Sequence, residues 1–326
     1  MSEVLLKIEN LRKHFPLKKP HPFAQERILR AVEGVSLDVF KGETLGLVGE
    51  SGCGKSTLGR SIIQLYKPTS GKIVFEGKTI FEEGKCKHVD LVRQDMQMIF
   101  QDPYSSLNPR MTVESIVAEP LRTYKKLSGL ELRKRVQELL EIVGMNPRYI
   151  RRYPHEFSGG QCQRIGIARA LALNPKLIIA DEPISALDVS IQAQILNLLK
   201  KLQKELGLTY IFIAHDLAAV KHISDRIAVM YLGKIVELSD AKTIIKQPKH
   251  PYTNALISAI PVPNPVVEKQ RKHIVLQGDV PNPINPPSGC HFHTRCFNKK
   301  EQCAEKWPAL ESQGKDHLVS CFYPVA

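Results

Sequence analysis

Three short apolar runs are continuous rather than alternating, which is typical of strands buried on both faces of a parallel sheet. They cover residues 44–48, 177–180 and 208–214. Between the last two, apolar residues recur every three or four positions and predict a helix that Ser190 caps and Gly207 ends. Strand, helix and strand in this order predict a doubly wound α/β fold, whose ligands lie at the carboxyl ends of the strands.

Other segments follow different patterns. Residues 4–8 and 35–39 predict strands of a β-rich N-terminal region, and the Pro- and Lys-rich residues 16–26 predict an exposed loop between them. The sequence of residues 102–165 predicts a mainly helical region. Many prolines after residue 246 break any long element and predict a domain boundary near residue 260.

The first buried strand leads into a glycine-rich loop. The loop consists of Gly49, Glu50, Ser51, Gly52, Cys53, Gly54, Lys55, Ser56 and Thr57. A helix-like segment follows at residues 58–66, so the loop has the strand and helix context of a phosphate-binding P-loop. Its backbone N–H groups and the helix N-terminus would face phosphate oxygens. Lys55 would reach the β- and γ-phosphates, and Ser56 would bind Mg²⁺.

A P-loop also needs a carboxylate near the metal ion and a group that polarises the attacking water. Asp181 ends the apolar strand at residues 177–180, where its carboxylate can face Mg²⁺ through water. Glu182 follows directly and can act as a general base. The two residues therefore predict nucleoside triphosphate hydrolysis.

A second predicted anion site begins another apolar helix. It consists of Ser158, Gly159, Gly160 and Gln161, a turn with open backbone N–H groups and a serine hydroxyl. It lies more than 100 residues after the P-loop and need not face that loop within one chain. In a dimer of two such chains, each nucleotide would bind between the P-loop of one chain and the Ser-Gly-Gly helix of its partner. Such a dimer would close on ATP and open after hydrolysis.

Together these motifs resemble the ATP-binding cassette (ABC) ATPases, with a Walker A loop, a Walker B strand and a signature segment. The resemblance adds Gln101 as the Q-loop residue, Asp188 in the D-loop and His215 as the switch histidine. It also implies a base-stacking role for Phe15. Phe157 stands where leucine is commonest in the signature, which leaves the Ser-Gly-Gly-Gln chemistry unchanged.

The resemblance implies a role for each added residue. Gln101 would contact Mg²⁺ or the attacking water and relay the nucleotide state to the helical subdomain. His215 would hydrogen-bond the γ-phosphate and orient Glu182 and water. Asp188 would contact the P-loop of the opposite chain.

Four further segments look like those of oligopeptide and dipeptide permease ATPases, nearest to the F-type subunits. They are residues 101–110, 153–158, 250–253 and 286–290, the last together with 294–296. The resemblance implies a P-loop core with an antiparallel β subdomain and a helical signature subdomain, in a nucleotide-binding domain at residues 1–260. Residues 102–165 would form the helical subdomain, and residues 261–326 a small irregular extension rich in Cys and Pro.

The same resemblance implies ATP hydrolysis that powers import of oligopeptides across the cytoplasmic membrane. The implied partners are a homologous D-type ATPase, two membrane permease subunits and, indirectly, a peptide-binding protein. The chain would lie peripherally on the cytoplasmic face of the inner membrane. Dipeptides, nickel or another solute remain alternative cargoes.

Net charge leaves a second function class open. The chain carries 46 Lys and Arg against 33 Asp and Glu, a balance of +13 that permits an anionic partner such as nucleic acid. The basic residues are scattered, however, and favour a solvated surface. ABC ATPases that act on nucleic acid usually carry two sets of ATPase motifs in one chain, or a long coiled coil that interrupts a single set. This sequence has neither feature. We therefore expect no nucleic-acid partner. No apolar run approaches the ~20 residues of a membrane span.

Four of the seven cysteines crowd together near the C-terminus. They are Cys290, Cys296, Cys303 and Cys321. Disulfides are not expected in a cytoplasmic protein, and structural zinc sites usually pair ligands about two to four residues apart. The wider spacing favours a [4Fe–4S] cluster of structural role, which peptide-permease ATPases resembling this chain carry. Zinc, unliganded thiols and an iron–sulfur sensor remain alternatives. His291 and His293 are expected to be solvated loop residues.

Overall fold

The computed structural model describes residues 3–18, 26–261, 273–314 and 316–325. The chain forms two compact units. The first unit combines Met1–Phe40, Leu45–Lys87 and His215–Ala326, and the second combines Lys41–Thr44 with His88–Ala214. The first unit therefore contains the P-loop and the described part of the C-terminal extension, and the second contains the Walker B and signature segments.

Strands and helices occur along most of the described chain. The strands are β1 (Val4–Leu17), β2 (Arg27–Phe40), β3 (Thr44–Val48), β4 (Ser70–Phe75), β5 (Lys78–Glu82), β6 (Lys85–Cys86), β7 (Met96–Ile99), β8 (Leu177–Asp181), β9 (Thr209–Ala214), β10 (Arg226–Tyr231), β11 (Lys234–Asp240), β12 (Glu311–Ser312) and β13 (Leu318–Val319). The α-helices are α1 (Lys55–Ile62), α2 (Val89–Asp95), α3 (Val113–Pro120), α4 (Gly129–Ile142), α5 (Gly159–Leu171), α6 (Val189–Leu206), α7 (Leu217–Ile223), α8 (Ala241–Lys246) and α9 (Pro251–Ser258). Shorter helical segments are Leu121–Lys125, Pro147–Arg151, Pro154–Glu156 and Gln302–Glu305.

An antiparallel sheet in the first unit has the strand order β2-β1-β4-β5-β6. The predicted N-terminal strands are confirmed, although both are longer than expected. β1 continues through Pro16 to Leu17, so the start of the predicted loop is wrong, and residues 19–25 of that loop lie outside the described residues. β4 pairs with β1 only as far as Arg12, so a proline beyond this point interrupts no ladder with β4.

The predicted buried strands are confirmed in both units. In the first unit β3 pairs in parallel with β10, and β11, β13 and β12 continue from β10 in antiparallel pairs. In the second unit β7, β8 and β9 are parallel neighbours. β3, β8 and β9 are buried along their whole length, as expected for continuous apolar runs.

The predicted helical region of the second unit contains α3, α4 and α5, and its first residues form turns instead. The helix predicted to start after a Ser190 cap begins two residues earlier, at Val189, so Ser190 lies within the helix and does not cap it. Asp188 is its N-cap, because its backbone is extended while Val189 is already helical. Gly207 ends α6 in the left-handed conformation, at φ 64°, as predicted.

Within the first unit, a buried carboxylate in β11 connects the C-terminal segment to the rest of the core. Glu237 of β11 is fully buried and accepts hydrogen bonds from the backbone N–H groups of Lys249 and His250, at 2.8 and 2.9 Å. His317 Nε2 lies 2.6 Å from the same carboxylate, and β13 pairs with β11 beside it. A buried carboxylate needs such partners, so the end of the chain completes the core of this unit. In the described ranges, no helix is long and apolar enough to cross a membrane.

Candidate functional site

The P-loop connects β3 to α1 and curls tightly around its own lysine. Lys55 is buried, and its ammonium donates to the carbonyl oxygens of Gly49 at 2.7 Å and Glu50 at 3.0 Å. Gly54 precedes the helix at φ 106°, a region that favours glycine. A Cβ at Gly54 would meet the carbonyl oxygen of Ala31 at 2.0 Å, so the loop passes very close to β2.

The remaining P-loop residues differ in exposure. Ser51 and Gly52 are exposed, Ser56 and Thr57 are half-buried in the first turn of α1, and Cys53 is buried. Burial raises the pKa of the Cys53 thiol above its ordinary value, which keeps this thiol neutral at pH 7. The sulfur lies 3.7 Å from the Lys55 ammonium. The interior of the loop therefore presents one cation and no anion.

Glu50 is held from two sides by residues from the C-terminal part of the same unit. Its backbone N–H donates to the Tyr252 hydroxyl at 2.8 Å. Its carboxylate accepts two hydrogen bonds from the Arg295 guanidinium, at 2.7 and 3.0 Å. These contacts were not predicted, because Tyr252 and Arg295 carry no sequence signal beyond the permease-like segments that contain them.

Phe15, the predicted base-stacking residue, lies in β1 and is half-buried. Its ring meets Tyr66 edge-to-face, with centroids 5.5 Å apart. The ammonium of Lys13 lies 4.5 Å from the Phe15 ring centroid. The ring thus has protein partners on two sides, and its role toward a nucleotide stays a prediction.

In the second unit, two of the predicted catalytic residues are in direct contact. Asp181 is the fully buried last residue of β8, and Glu182 follows with a left-handed backbone, at φ 46°. The Glu182 N–H donates to the Ile213 carbonyl at 2.9 Å, which fixes this strained residue beside β9. The Gln101 side-chain amide donates to the Glu182 carboxylate at 2.9 Å.

The signature segment forms the start of α5. The Ser158 backbone N–H donates to the Gln161 side-chain oxygen at 3.0 Å, which closes the first helical turn. A Cβ at Gly160 would lie 2.5 Å from the Ile191 side chain of α6, so glycine permits this close approach. Phe157, which replaces the commoner leucine, is buried and packs edge-to-face on Tyr149 at 5.6 Å.

Asp188 and His215 both lie at ends of regular elements. Asp188 is the exposed N-cap of α6. His215 is exposed and lies between the end of β9 and Asp216, which caps α7 by accepting from the Ala218 N–H at 2.7 Å. Their predicted roles stay predictions.

All four C-terminal cysteines line one cavity of about 10 Å³, together with His293. The four thiols are free. Within the described ranges, no group of three or more His, Cys, Asp or Glu side chains is arranged to hold a metal ion. The chemistry of the donors suits a soft metal centre, and the cavity that they line is small.

Burial governs the ionisation of these side chains. It raises the pKa of Cys290 to about 11 and that of Cys321 to about 12, and it also raises the pKa of Cys296. The expectation that His291 is solvated is wrong. His291 is buried, its ring lies 4.9 Å from that of Trp307, and burial lowers its pKa to about 4.

Comparison with known proteins agrees with this architecture. The "ABC transporter" family model matches residues 32–185, and the model "Oligopeptide/dipeptide transporter, C-terminal region" matches residues 236–303. The oligopeptide transport ATP-binding protein OppF of Salmonella typhimurium is 57% identical, over 98% of this chain and 96% of that protein. AppF of Bacillus subtilis, with the same description, is 52% identical over 98% of this chain and 97% of that protein. The dipeptide transport ATP-binding protein DppF of Haemophilus influenzae is 48% identical, over 98% and 96%.

Solved structures give the same result at the level of the fold. The ATP-binding cassette MJ0796, in a dimeric post-hydrolysis state bound to ADP and Pi, has a TM-score of 0.64 and 32% identity, covering 73% of this chain and 99% of that one. The cbiO1 protein of Clostridium perfringens has a TM-score of 0.63 and 31% identity, covering 75% and 91%. The P-loop, the antiparallel sheet, the helical region and these similarities together show that the chain belongs to the ABC transporter ATPases of the oligopeptide/dipeptide permease family.

Proposed function

We propose that this chain binds and hydrolyses ATP and thereby powers the import of oligopeptides through a membrane transporter. The observation that carries the proposal is the P-loop, in which Lys55 is buried and its ammonium donates to the carbonyl oxygens of Gly49 and Glu50 in its own loop. Phosphate oxygens are stronger partners for an ammonium than neutral carbonyls. Lys55 would therefore exchange these contacts for the β- and γ-phosphates of ATP.

The remaining ATPase roles are proposed from the sequence motifs that contain each side chain. The motifs assign Ser56, Asp181 and Gln101 as oxygen donors, the kind of ligand that Mg²⁺ prefers, and bound Mg²⁺ would neutralise charge on the phosphates. Glu182 would accept the proton of the attacking water, held in place by the Gln101 amide. His215 would hydrogen-bond the γ-phosphate and keep that water in line.

The signature residues support a dimeric ATPase. Ser158 to Gln161 form an open helix N-terminus, which suits the γ-phosphate of a nucleotide bound to another chain. Asp188 would contact the partner's P-loop. We propose a homologous D-type ATPase as that partner, two membrane permease subunits above the pair, and a position on the cytoplasmic face of the inner membrane.

The cargo is proposed from the named relatives. The Salmonella and Bacillus proteins are called oligopeptide transport proteins, and the Haemophilus DppF relative is called a dipeptide transport protein. Identity is higher to the first two, so we place oligopeptides before dipeptides. A peptide-binding protein on the outer side would select the cargo, since an ATPase of this kind does not contact it.

Transport function is tested by purifying the full chain with the ATPase and permease subunits that are co-expressed with it. In proteoliposomes we expect peptide-stimulated ATP hydrolysis, with a pentapeptide giving a larger stimulation than a dipeptide when the peptide-binding protein is present. Lys55→Ala should abolish nucleotide binding, whereas Lys85→Ala, on the exposed strand β6, should not. Co-purification of RNA or DNA, with hydrolysis independent of membrane subunits, would contradict the proposal.

We also propose a [4Fe–4S] cluster held by Cys290, Cys296, Cys303 and Cys321, with zinc as the alternative. The four thiols around a single cavity support it. When bound, such a cluster would cross-link a segment that has little regular structure of its own.

Anaerobic purification tests the cluster directly. We expect about four iron atoms and four acid-labile sulfides per chain, with a broad visible absorbance that bleaches on reduction. Cys303→Ser should remove the absorbance and lower the thermal unfolding temperature. Cys86→Ser, in β6 and away from the cavity, is the matched control and should change neither. Stoichiometric zinc without sulfide would establish the alternative.

A further inference from the structure

The P-loop contains one acidic residue, Glu50, and the C-terminal extension supplies the cation that pairs with it. We propose that Arg295 is a positioning residue for nucleotide binding, because it fixes Glu50 and neutralises its charge beside the triphosphate site. This inference rests on the proposed ATPase function. The P-loop would then reach its full affinity for ATP only when the extension is folded.

The geometry of the pair is that of a strong, partly desolvated ion pair. Two guanidinium nitrogens of Arg295 donate to the two carboxylate oxygens of Glu50, and the Arg295 side chain is only 8% exposed. This pairing raises the pKa of Arg295 above its ordinary value. Bidentate pairs of this kind fix orientation as well as charge. The carboxylate is therefore held in one direction.

Electrostatics gives the pair a function beyond stability. A carboxylate next to Gly49 lies in the loop whose backbone N–H groups and Lys55 would bind several negative charges. Without Arg295, Glu50 would repel the phosphates and would compete with them for the Lys55 ammonium. With Arg295 in place, the guanidinium balances the charge of the carboxylate and holds both of its oxygens.

The extension, in turn, holds Arg295. Phe292 is buried and contacts Tyr231 and Tyr252, with ring centroids 5.2 and 5.3 Å apart. Tyr252 is also the acceptor for the Glu50 N–H. Arg295 directly precedes Cys296, one of the cavity-lining thiols, so the conformation of the cysteine segment and the position of Arg295 are set together.

The test is a double-mutant cycle on the full chain, with Arg295→Gln, Glu50→Gln and the two combined. Dissociation constants for Mg-ATP and Mg-ADP are measured by displacement of a fluorescent ATP analogue, first for the unmodified chain. We expect Arg295→Gln to weaken ATP binding by about tenfold, and ADP binding by less because ADP carries less charge. The loss should shrink as salt is raised. The double variant should return to within about twofold of the unmodified chain, because no charge is then left unpaired.

Further readouts separate positioning from simple loss of structure. In the assembled transporter, Arg295→Gln should raise the KM for ATP and leave kcat unchanged. Arg295→Lys should recover part of the affinity and replaces Arg295→Gln if the latter does not fold. Lys72→Gln, which removes a partly exposed pairing partner of Glu82 in the same unit, is the matched control and should bind ATP normally. Unchanged affinity in Arg295→Gln, or a double variant as weak as Arg295→Gln, would overturn the inference. An unmodified chain that binds no ATP would instead contradict the proposed function.

Discussion

Glu182→Gln is expected to lower ATP hydrolysis by about 100-fold or more while ATP binding is retained, because an amide cannot accept the proton of the attacking water. The substitution is nearly isosteric, and the new side-chain oxygen can still accept the hydrogen bond from Gln101. The backbone of residue 182 stays fixed by the hydrogen bond from its N–H to the Ile213 carbonyl oxygen. Phosphate release at saturating ATP measures the loss. Size-exclusion chromatography with ATP should show a dimer that persists.

The control for this prediction is Glu138→Gln on α4. Glu138 pairs with Arg135 at 3.1 Å on the surface of the same unit, so its removal changes the charge by the same amount without touching the predicted catalytic residues. We expect its hydrolysis rate to stay within about twofold of the unmodified chain. Undiminished turnover in Glu182→Gln would show that another group activates the water.

Gly54→Ala is expected to destabilise the first unit by about 3 kcal/mol or more and to abolish nucleotide binding. Two causes act together at this position. The backbone has φ 106°, which side chains rarely adopt, and the new methyl group would lie 2.0 Å from the Ala31 carbonyl oxygen. The loop or β2 must move, and either movement displaces Lys55 from its place. Thermal unfolding and ATP displacement measurements report the two effects.

Gly52→Ala separates these causes within the same loop. Gly52 also has a positive φ, 78°, but a Cβ there would meet nothing within 4 Å. Only backbone strain remains, so we expect a loss of about 1 kcal/mol in stability. If both variants unfolded at the same temperature, the steric clash of a side chain at position 54 with β2 would contribute nothing to the loss of stability.

Most of the core could be predicted from local patterns. The apolar runs before the P-loop, before Asp181 and before His215 are buried strands, because continuous apolar sequence fits only a sheet covered on both faces. Boundaries were less predictable. β1 runs through Pro16 because its edge toward β4 is unpaired there, a tertiary fact that no local pattern contains.

The site was predictable wherever a motif lies within a few consecutive residues. The contact between Glu50 and Arg295 joins residues 245 positions apart and leaves no periodic signal. The same holds for His291, which sequence alone suggests is solvated, whereas it packs on Trp307. Such pairs depend on how the extension returns to β10 and β11, and a single sequence does not specify that path.

The first unit is assembled from both ends of the chain, whereas the second is nearly contiguous. During synthesis, residues 88–214 can fold as soon as they leave the ribosome. Folding of the first unit cannot be completed until residue 317 has left the ribosome, because Glu237 lacks its histidine partner before then. A chain that lacks His317 would thus keep all segments of the second unit but would leave the P-loop unit unfinished.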